Sequence, residues 1–357
     1  MDFLVGIIAF IFMLSVIVVI HELGHFLVAK HFGVYCHEFA IGMGPAIYQK
    51  KGKETTYSLR AIPLGGYVMM AGENDGSQDE EEDDWLKNIP DNRRVNNLEA
   101  WKQICVMVAG VCMNFILALV LFVGLAMARG YVVEEPEPVV YQVVENSPAE
   151  KAGLQEDDRI IKIQNKKDSV NPEKQMDVVE FLQFHKGESI FTIQRKGKEL
   201  EIPITPSYDE EMQGYSIGIM SQAVAKPITK MEAVGVGLHD MWDSGTMIFR
   251  SLGMLLHGKG VENLSGPVGI YKLTEKTAQM GMMSYLSLFA MISLNIGVFN
   301  LLPIPALDGG RILILLLEKL FRRKINPKII EKIIVVSFVL LFALLIYATF
   351  NDVMRMF

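Results

Sequence analysis

Two histidines and a glutamate interrupt the apolar run that begins near residue 3, and no other feature limits the fold so strongly. Residues 21–25 read HELGH. On a helix, His21 and His25 are one turn apart on the same face, so their imidazole nitrogens can reach one zinc ion. Glu22 lies next to them, where a carboxylate can take a proton from a metal-bound water. Ionisable side chains are costly inside an apolar span and are usually functional, so the context favours a metal site over a chance match.

The composition indicates a membrane protein. Of the 357 residues, 50% are hydrophobic, mean hydropathy is +0.27, and the apolar residues are concentrated in long runs. Such runs are typical of transmembrane helices. The first run lacks a basic start and a small-residue cleavage site, so we interpret it as a retained span and not a signal peptide. We predict a polytopic α-helical membrane protein with four transmembrane helices, at about residues 3–31, 101–128, 285–317 and 333–350.

Charge and cysteine usage argue against two other classes of protein. The formal net charge is −7, and much of it comes from residues 73–84, an acidic run that we interpret as a solvated linker. No basic stripe indicates nucleic acid, so we predict no nucleic-acid partner. The cysteines at positions 36, 105 and 112 are odd in number and two lie in an apolar helix, so no disulfide framework is expected.

Residues 41–72 carry short apolar runs and turn residues, which predict strands and tight turns. Pro63, Gly65 and Gly66 mark one of these turns. This β-loop is either an ordinary cytoplasmic hairpin or a membrane-associated loop that dips beside the metal site. In the second case its open edge can pair with an extended substrate strand.

The second predicted span carries a small and a polar residue four positions apart, Gly110 and Asn114. Small and polar residues on one face suit close helix packing in lipid. Contact between Asn114 and the metal site is the alternative interpretation. We favour packing.

Residues 134–210 differ from their surroundings, because they are polar and contain short β-type runs separated by turn residues. Ser147 and Pro148 predict the start of a short helix, and Gly153 predicts its end. A second helix is predicted at about residues 177–184. This segment is predicted to be a small soluble α+β domain inserted between membrane regions.

Residues 211–284 are predicted to be an amphipathic helical region, since apolar residues recur there every three or four positions. We interpret this region as lying on the membrane surface or packed under the soluble domain. A plain linker helix is the alternative. His239 and His257 lie here, and neither is assigned a role.

The third predicted span is broken at residues 300–310, where Pro303 and Pro305 remove helical hydrogen bonds. A break at membrane depth normally lines a site. Asp308 starts the next helical run, where an aspartate can be a helix N-cap or a metal ligand. Two histidines need a third protein ligand, and no other carboxylate lies as deep in an apolar span, so we favour the ligand.

The loop between the third and fourth spans is basic, which predicts that it is cytoplasmic by the positive-inside rule. Four spans then place both termini and the α+β domain outside the cytoplasm. The β-loop is predicted to be inside, and the metal site lies toward the cytoplasmic face. The basic residues of this loop are Lys319, Arg322, Arg323, Lys324, Lys328 and Lys332.

HELGH in the first span, followed by NLLPIPALDG at residues 300–309, resembles the site-2 intramembrane metalloproteases, in particular the bacterial regulator of sigma-E protease branch. Residues 62–68 (IPLGGYV) and 264–269 (LSGPVG) add to the resemblance. Residues 147–163 are similar to part of a bacterial PDZ domain, although Asp157 stands where glycine is usual. The resemblance thus implies that the inserted α+β domain is a PDZ domain.

The resemblance also implies roles for individual residues. It implies that His21, His25 and Asp308 bind one catalytic zinc ion and that Glu22 is the catalytic base. Asn300 would help to hold the substrate or the oxyanion. Substrate-binding residues would also come from the β-loop and from the broken span, namely Gly65, Gly66, Pro303 and Pro305.

The activity implied by the resemblance is intramembrane zinc endopeptidase activity on single-span membrane proteins, such as anti-sigma factors and remnant signal peptides. These substrates would first be trimmed by another protease, with the PDZ domain as a size filter. The protein would be a multi-pass protein of the bacterial plasma membrane, in contact with the lipid bilayer. Alternatives are a metal-binding membrane scaffold that presents a PDZ domain, and a metal transporter, although no inverted repeat is evident.

Overall fold

The computed structural model describes residues 2–73, 83–134, 136–166, 168–209, 214–256 and 265–354. Most of the predicted acidic linker at 73–84 and His257 lie outside these residues. The chain forms two compact units, the first made of Met1–Ala128 and Met231–Phe357 and the second of Arg129–Lys230.

Helices dominate the first unit, and strands dominate the second. The α-helices are α1 (Asp2–His31), α2 (Asp83–Lys87), α3 (Ala100–Arg129), α4 (Pro148–Ala152), α5 (Gln175–Phe184), α6 (Lys230–Leu256), α7 (Pro267–Gln279), α8 (Met282–Asn300), α9 (Asp308–Phe321) and α10 (Pro327–Met354). The strands are β1 (Cys36–Lys51), β2 (Thr56–Met70), β3 (Tyr131–Glu134), β4 (Gln142–Val143), β5 (Arg159–Gln164), β6 (Ser169–Val170), β7 (Ser189–Arg195), β8 (Lys198–Ile204), β9 (Ser207–Asp209), β10 (Gly214–Ser216), β11 (Ile219–Met220) and β12 (Val224–Pro227).

Four helices among the described residues are long and apolar enough to cross a membrane: Leu4–His31, Ala100–Arg129, Met282–Asn300 and Lys328–Met354. Each overlaps one of the predicted spans. The third predicted span is two helices, because α8 ends at Asn300 and α9 begins at Asp308. The two prolines between them prevent a continuous helix.

The predicted strands and turns after α1 are present, but they begin at Cys36 and not at residue 41. Strands β1 and β2 fold back on each other, so that residues 38–41 pair with residues 66–69 and also with residues 56–59. The Ser15 hydroxyl of α1 donates a hydrogen bond to the Pro63 carbonyl of β2. The β-loop therefore lies alongside the middle of α1.

A shared core connects α1, the β-loop and α3. Phe26 of α1 and Val106 of α3 are buried in one cluster with Phe39 and Val68 of the β-loop. The region predicted to be helical, residues 211–284, begins in the structure with strands β10, β11 and β12, and its first helix starts at Lys230. Helix α6, predicted to lie on the membrane surface or under the soluble domain, buries Ile248 against α3 and α8. Its position relative to the bilayer stays a prediction.

Asp352, near the end of α10, is buried and accepts hydrogen bonds from the backbone N–H groups of Gly266 and Gly269. These groups lie at the start of α7, whose first turn has no intrahelical partners for them. The carboxylate therefore fastens the last apolar helix to α7, which also packs against α1.

The second unit is an α+β domain with a four-stranded sheet in the order β6-β5-β7-β8. Its core buries Ile160, Phe191 and Phe181, among others. The short helix α4 begins as predicted, because the Ser147 side chain accepts a hydrogen bond from the Glu150 backbone, and it ends at Gly153 with φ +83°. Asp157 adopts φ +67°, a left-handed conformation that aspartate tolerates.

Candidate active site

His21, His25 and Asp308 meet at one point, although the aspartate is more than 280 positions further along the chain. The two Nε2 atoms are 3.1 Å apart, and Asp308 Oδ2 lies 3.2 Å from His21 Nε2 and 3.5 Å from His25 Nε2. Zinc binds such ligands tetrahedrally at about 2.0–2.1 Å, which places ligand atoms about 3.3 Å from each other. The three atoms therefore have the spacing that a zinc ion requires.

The aspartate side chain faces the histidines and does not cap its helix. Leu307 is the N-cap residue of α9, Asp308 is in the first turn, and no side-chain capping hydrogen bond is formed. Asp308 Oδ2 is buried and has no hydrogen-bond partner among the described residues. A buried carboxylate oxygen without a partner is costly unless a cation compensates it. The donor set thus fits a bound zinc ion.

Hydrogen bonds behind the histidines orient their rings. His25 Nδ1 donates to the Val106 carbonyl at 2.8 Å, which leaves the lone pair of Nε2 free to face Asp308. His21 Nδ1 lies 3.3 Å from the side-chain amide of Asn114, which is fully buried. The two ends of an amide are nearly the same shape. In the structure Nδ2 is the atom that faces His21 Nδ1, and Oδ1 has no hydrogen-bond partner among the described residues. With the amide turned end for end, Asn114 Oδ1 would accept the Nδ1 proton and leave Nε2 as the ligand atom.

For Asn114 sequence reasoning favoured helix packing over contact with the metal site, and the structure shows both, because the fully buried side chain also lies 3.3 Å from His21 Nδ1. The sequence feature that could have indicated this contact is the position of Asn114 four residues after Gly110, on the same face of α3. A Cβ atom at Gly110 would lie 2.3 Å from His25 Nε2, and one at Gly24 would lie 2.4 Å from the Ala109 carbonyl oxygen. Both glycines are therefore required for α3 to approach α1 at the histidines.

A cavity of about 140 Å³ opens onto the three converging side chains. Glu22, the predicted base, and Asn300, a predicted substrate-binding residue, both line it. Val68 and Met70 of β2 form another part of its wall, together with residues 306–307 of the break. Side chains from α1, the β-loop and the broken span thus meet at one polar opening.

The other predicted substrate-binding residues lie further away. Gly65, Gly66, Pro303 and Pro305 are all described, and none of them lines this cavity. Gly66 lies close to Val19 of α1, and Gly65 adopts φ +82° next to Met43. The prolines shape the break, whereas the residues after them, 306–308, reach the cavity.

A His-Glu-x-x-His motif whose two histidines meet an aspartate from a distant segment, built on apolar helices, defines a membrane-embedded zinc metallopeptidase. The family model described as "Peptidase family M50" matches residues 9–344, and the chain belongs to this family, the site-2 proteases. The protein is therefore a zinc metalloprotease and a multi-pass membrane protein.

Relatives match over nearly the whole chain. A protein of Clostridium acetobutylicum named as a candidate zinc metalloprotease is 37% identical over 95% of this chain and 94% of its own length. A similarly named protein of Clostridium perfringens is 36% identical over 95% of this chain and 96% of its own length. The regulator of sigma-W protease RasP of Bacillus subtilis is 31% identical over 98% of this chain and 99% of its own length.

Proposed function

We propose that this chain is an intramembrane endopeptidase that cleaves the transmembrane segments of single-span membrane proteins. Anti-sigma factors and remnant signal peptides are the proposed substrates, in regulated intramembrane proteolysis. The observation that carries the proposal is the meeting of His21, His25 and Asp308 beside Glu22, in a cavity whose wall includes a strand edge.

We assign His21, His25 and Asp308 as the zinc ligands. Structural zinc sites are usually closed by four protein ligands, whereas three ligands leave a position open for catalysis. Bound zinc supplies Lewis acidity, which makes water a nucleophile near neutral pH. Glu22 accepts the proton of the attacking water and passes it to the leaving amine. Asn300, in the same cavity, donates its amide N–H to the carbonyl oxygen that becomes negatively charged.

The β-loop supplies a place for an extended substrate. Residues 66–70 pair on one side with residues 36–41, and they have no second partner among the described strands. Val68 and Met70 of this segment line the cavity. A substrate strand added at this edge would bring its backbone next to Glu22. The new strand hydrogen bonds would offset those lost when a substrate helix unwinds.

We further propose that residues 134–210 form a PDZ-like domain on the extracytoplasmic side, where it limits access to substrates trimmed by another protease. The support is its α+β organisation, its helix from Pro148 to Ala152 and the basic loop before α10, which orients the chain. Removing residues 134–207 should allow cleavage of untrimmed substrates while cleavage of trimmed ones continues. Equal discrimination after the deletion would refute the filter.

The test of the activity uses the purified full-length chain with a panel of single-span substrates, with and without phenanthroline. Glu22→Gln should retain zinc and lose cleavage, whereas Asp308→Ala should lose zinc as measured by mass spectrometry of the metal. Cleavage by Glu22→Gln, or unchanged zinc content in Asp308→Ala, would contradict the assigned roles. Cleavage that persists in the chelator would contradict zinc-dependent proteolysis.

A further inference from the structure

We propose that a cavity between the end of α9 and the start of α3 binds the phosphate headgroup of an anionic phospholipid. This basic cavity has a volume of about 430 Å³ and is separate from the cavity that contains Glu22. Four cationic side chains line it: Lys319, Arg322, Arg323 and Lys324. The inference goes beyond the proposed proteolysis and does not depend on it.

The charges in the basic cavity are unbalanced. One carboxylate, Glu318, shares the lining with the four cations, and one of its oxygens accepts a hydrogen bond from the Ile325 backbone. Within the described part of the chain, none of the four cationic side chains forms an ion pair with an acidic residue. The cavity therefore keeps an excess of positive charge, which an anion would neutralise.

The backbone gathers these cations around the opening. Arg322 ends α9 in a left-handed conformation with φ +52°, and the backbone N–H groups of Arg322 and Arg323 both point to the Glu318 carbonyl. The chain thus turns back at the helix end. Ala100, the first residue of α3, also lines the cavity, and the N-terminal end of that helix adds partial positive charge.

The surroundings favour a lipid over a soluble anion. Leu316, Leu320 and Phe321 of α9 are exposed apolar side chains next to the cationic residues. Trp101, in the first turn of α3, is half exposed, and tryptophan at the end of an apolar span is typical of the membrane interface. A ligand with a phosphate beside acyl chains satisfies both features, and basic pockets between membrane helices bind such headgroups.

A general bias of cytoplasmic loops toward lysine and arginine predicts basic residues here without any binding site. The chain offers a control for this explanation. Lys328 and Lys332 lie on the next helix, are exposed, and do not line the basic cavity. Binding at a specific site would depend on cavity residues such as Arg322 and Arg323. A general charge effect would depend equally on that pair and on Lys328 and Lys332.

The test adds phosphatidylglycerol to the delipidated full-length protein and measures by native mass spectrometry how much stays bound. Phosphatidylcholine is the neutral reference. Arg322→Gln with Arg323→Gln should reduce the retention about fivefold for each charge removed. Lys328→Gln with Lys332→Gln should leave it unchanged, and Arg322→Lys with Arg323→Lys should preserve it. Elution as a single species and an unchanged unfolding temperature verify that each variant is folded.

Three outcomes would overturn the proposal. Equal losses in the cavity pair and the control pair would indicate a general charge effect. Equal retention of phosphatidylglycerol and phosphatidylcholine would exclude headgroup recognition. Displacement of the lipid by millimolar glycerol phosphate or inorganic phosphate would show that the cavity takes a small soluble anion and not a lipid.

Discussion

The guanidinium of Arg311 donates a hydrogen bond to a carboxylate oxygen of Glu73 at 2.6 Å, and both side chains line the cavity that contains Glu22. Arg311 lies nearly one helical turn after Asp308 on α9, and Glu73 follows the last strand of the β-loop. The ion pair therefore ties the helix that carries the third proposed ligand to the strand edge proposed to receive substrate.

Breaking this ion pair should weaken substrate binding more than zinc binding. We expect Arg311→Gln and Glu73→Gln each to raise KM, because the β-loop is released from α9, while zinc content stays the same. Both side chains are partly exposed, so the free energy of unfolding should fall by only about 1 kcal/mol or less. Steady-state cleavage of a single-span substrate measures the effect. The double variant with the two charges exchanged should recover part of the loss, and simple additivity would contradict coupling.

Asn114 should contribute to zinc affinity through His21, which it orients. We expect Asn114→Ala to weaken zinc binding by about 10- to 100-fold, the usual effect of losing a partner of a metal-bound histidine. Competition with a chelator of known affinity measures this. Ser293→Ala is the matched control, because its hydroxyl donates to the backbone carbonyl of Asn114 at 2.9 Å and not to the Asn114 side chain. Equal zinc affinities in the two variants would show that the Asn114 side chain has no positioning role.

Gly110 should be irreplaceable because a methyl group there would overlap the His25 ring. Gly110→Ala should therefore lose zinc and activity together. Gly124→Ala, in the same helix, adds its methyl group where, apart from the adjacent backbone of α3, no described atom lies within 4 Å, so it should retain both. Zinc stoichiometry of the purified variants measures the difference. A fully loaded Gly110→Ala enzyme would contradict the close approach of α3 to the histidines.

The turn between β1 and β2 should become less stable in acid. Hydrogen bonds from Arg93 and Lys30 lower the pKa of Glu54 from 4.5 to about 2. Because the folded pKa is depressed, this stabilisation is present above pH 4.5 and is lost as the pH falls toward 2.

Glu54→Gln removes this charge and tests the pH effect. The unfolding temperature of the variant should be lower than that of the parent at pH 6, and the difference should shrink between pH 4.5 and 2. The rate of proteolysis of the turn, compared at pH 6 and at pH 2, gives a second measurement. A difference that stays constant over this range would show that Glu54 ionisation does not stabilise the turn.

Local patterns allowed much of the architecture to be predicted from the sequence. The apolar runs located helices that match the four candidate spans, and Ser147, Pro148 and Gly153 marked the ends of α4. The prolines at 303 and 305 predicted the break between α8 and α9. Each of these predictions depends on residues within a few positions of one another, where backbone geometry and helix capping act directly.

Other features depend on contacts between distant segments and were missed. The contact of Asn114 with His21 requires a particular rotation of α3 about its axis, which spacing along one helix does not specify. The double pairing of residues 38–41 depends on how two bent strands fold back. For the same reason, the sequence did not show that residues 68, 70 and 306 line the cavity and that the predicted glycines and prolines do not.

The amino-acid sequence by itself determined the kind of chemistry, because two imidazoles one helical turn apart with a neighbouring carboxylate are a local arrangement that any α-helix produces. Only the tertiary structure decided that Asp308 Oδ2 lies 3.2 Å from His21 Nε2, and that Asn114 and the strand edge of β2 share that site. Those distances arise from the packing of helices and strands that are far apart in the chain. That packing is set by the summed shapes of many side chains and not by any short motif.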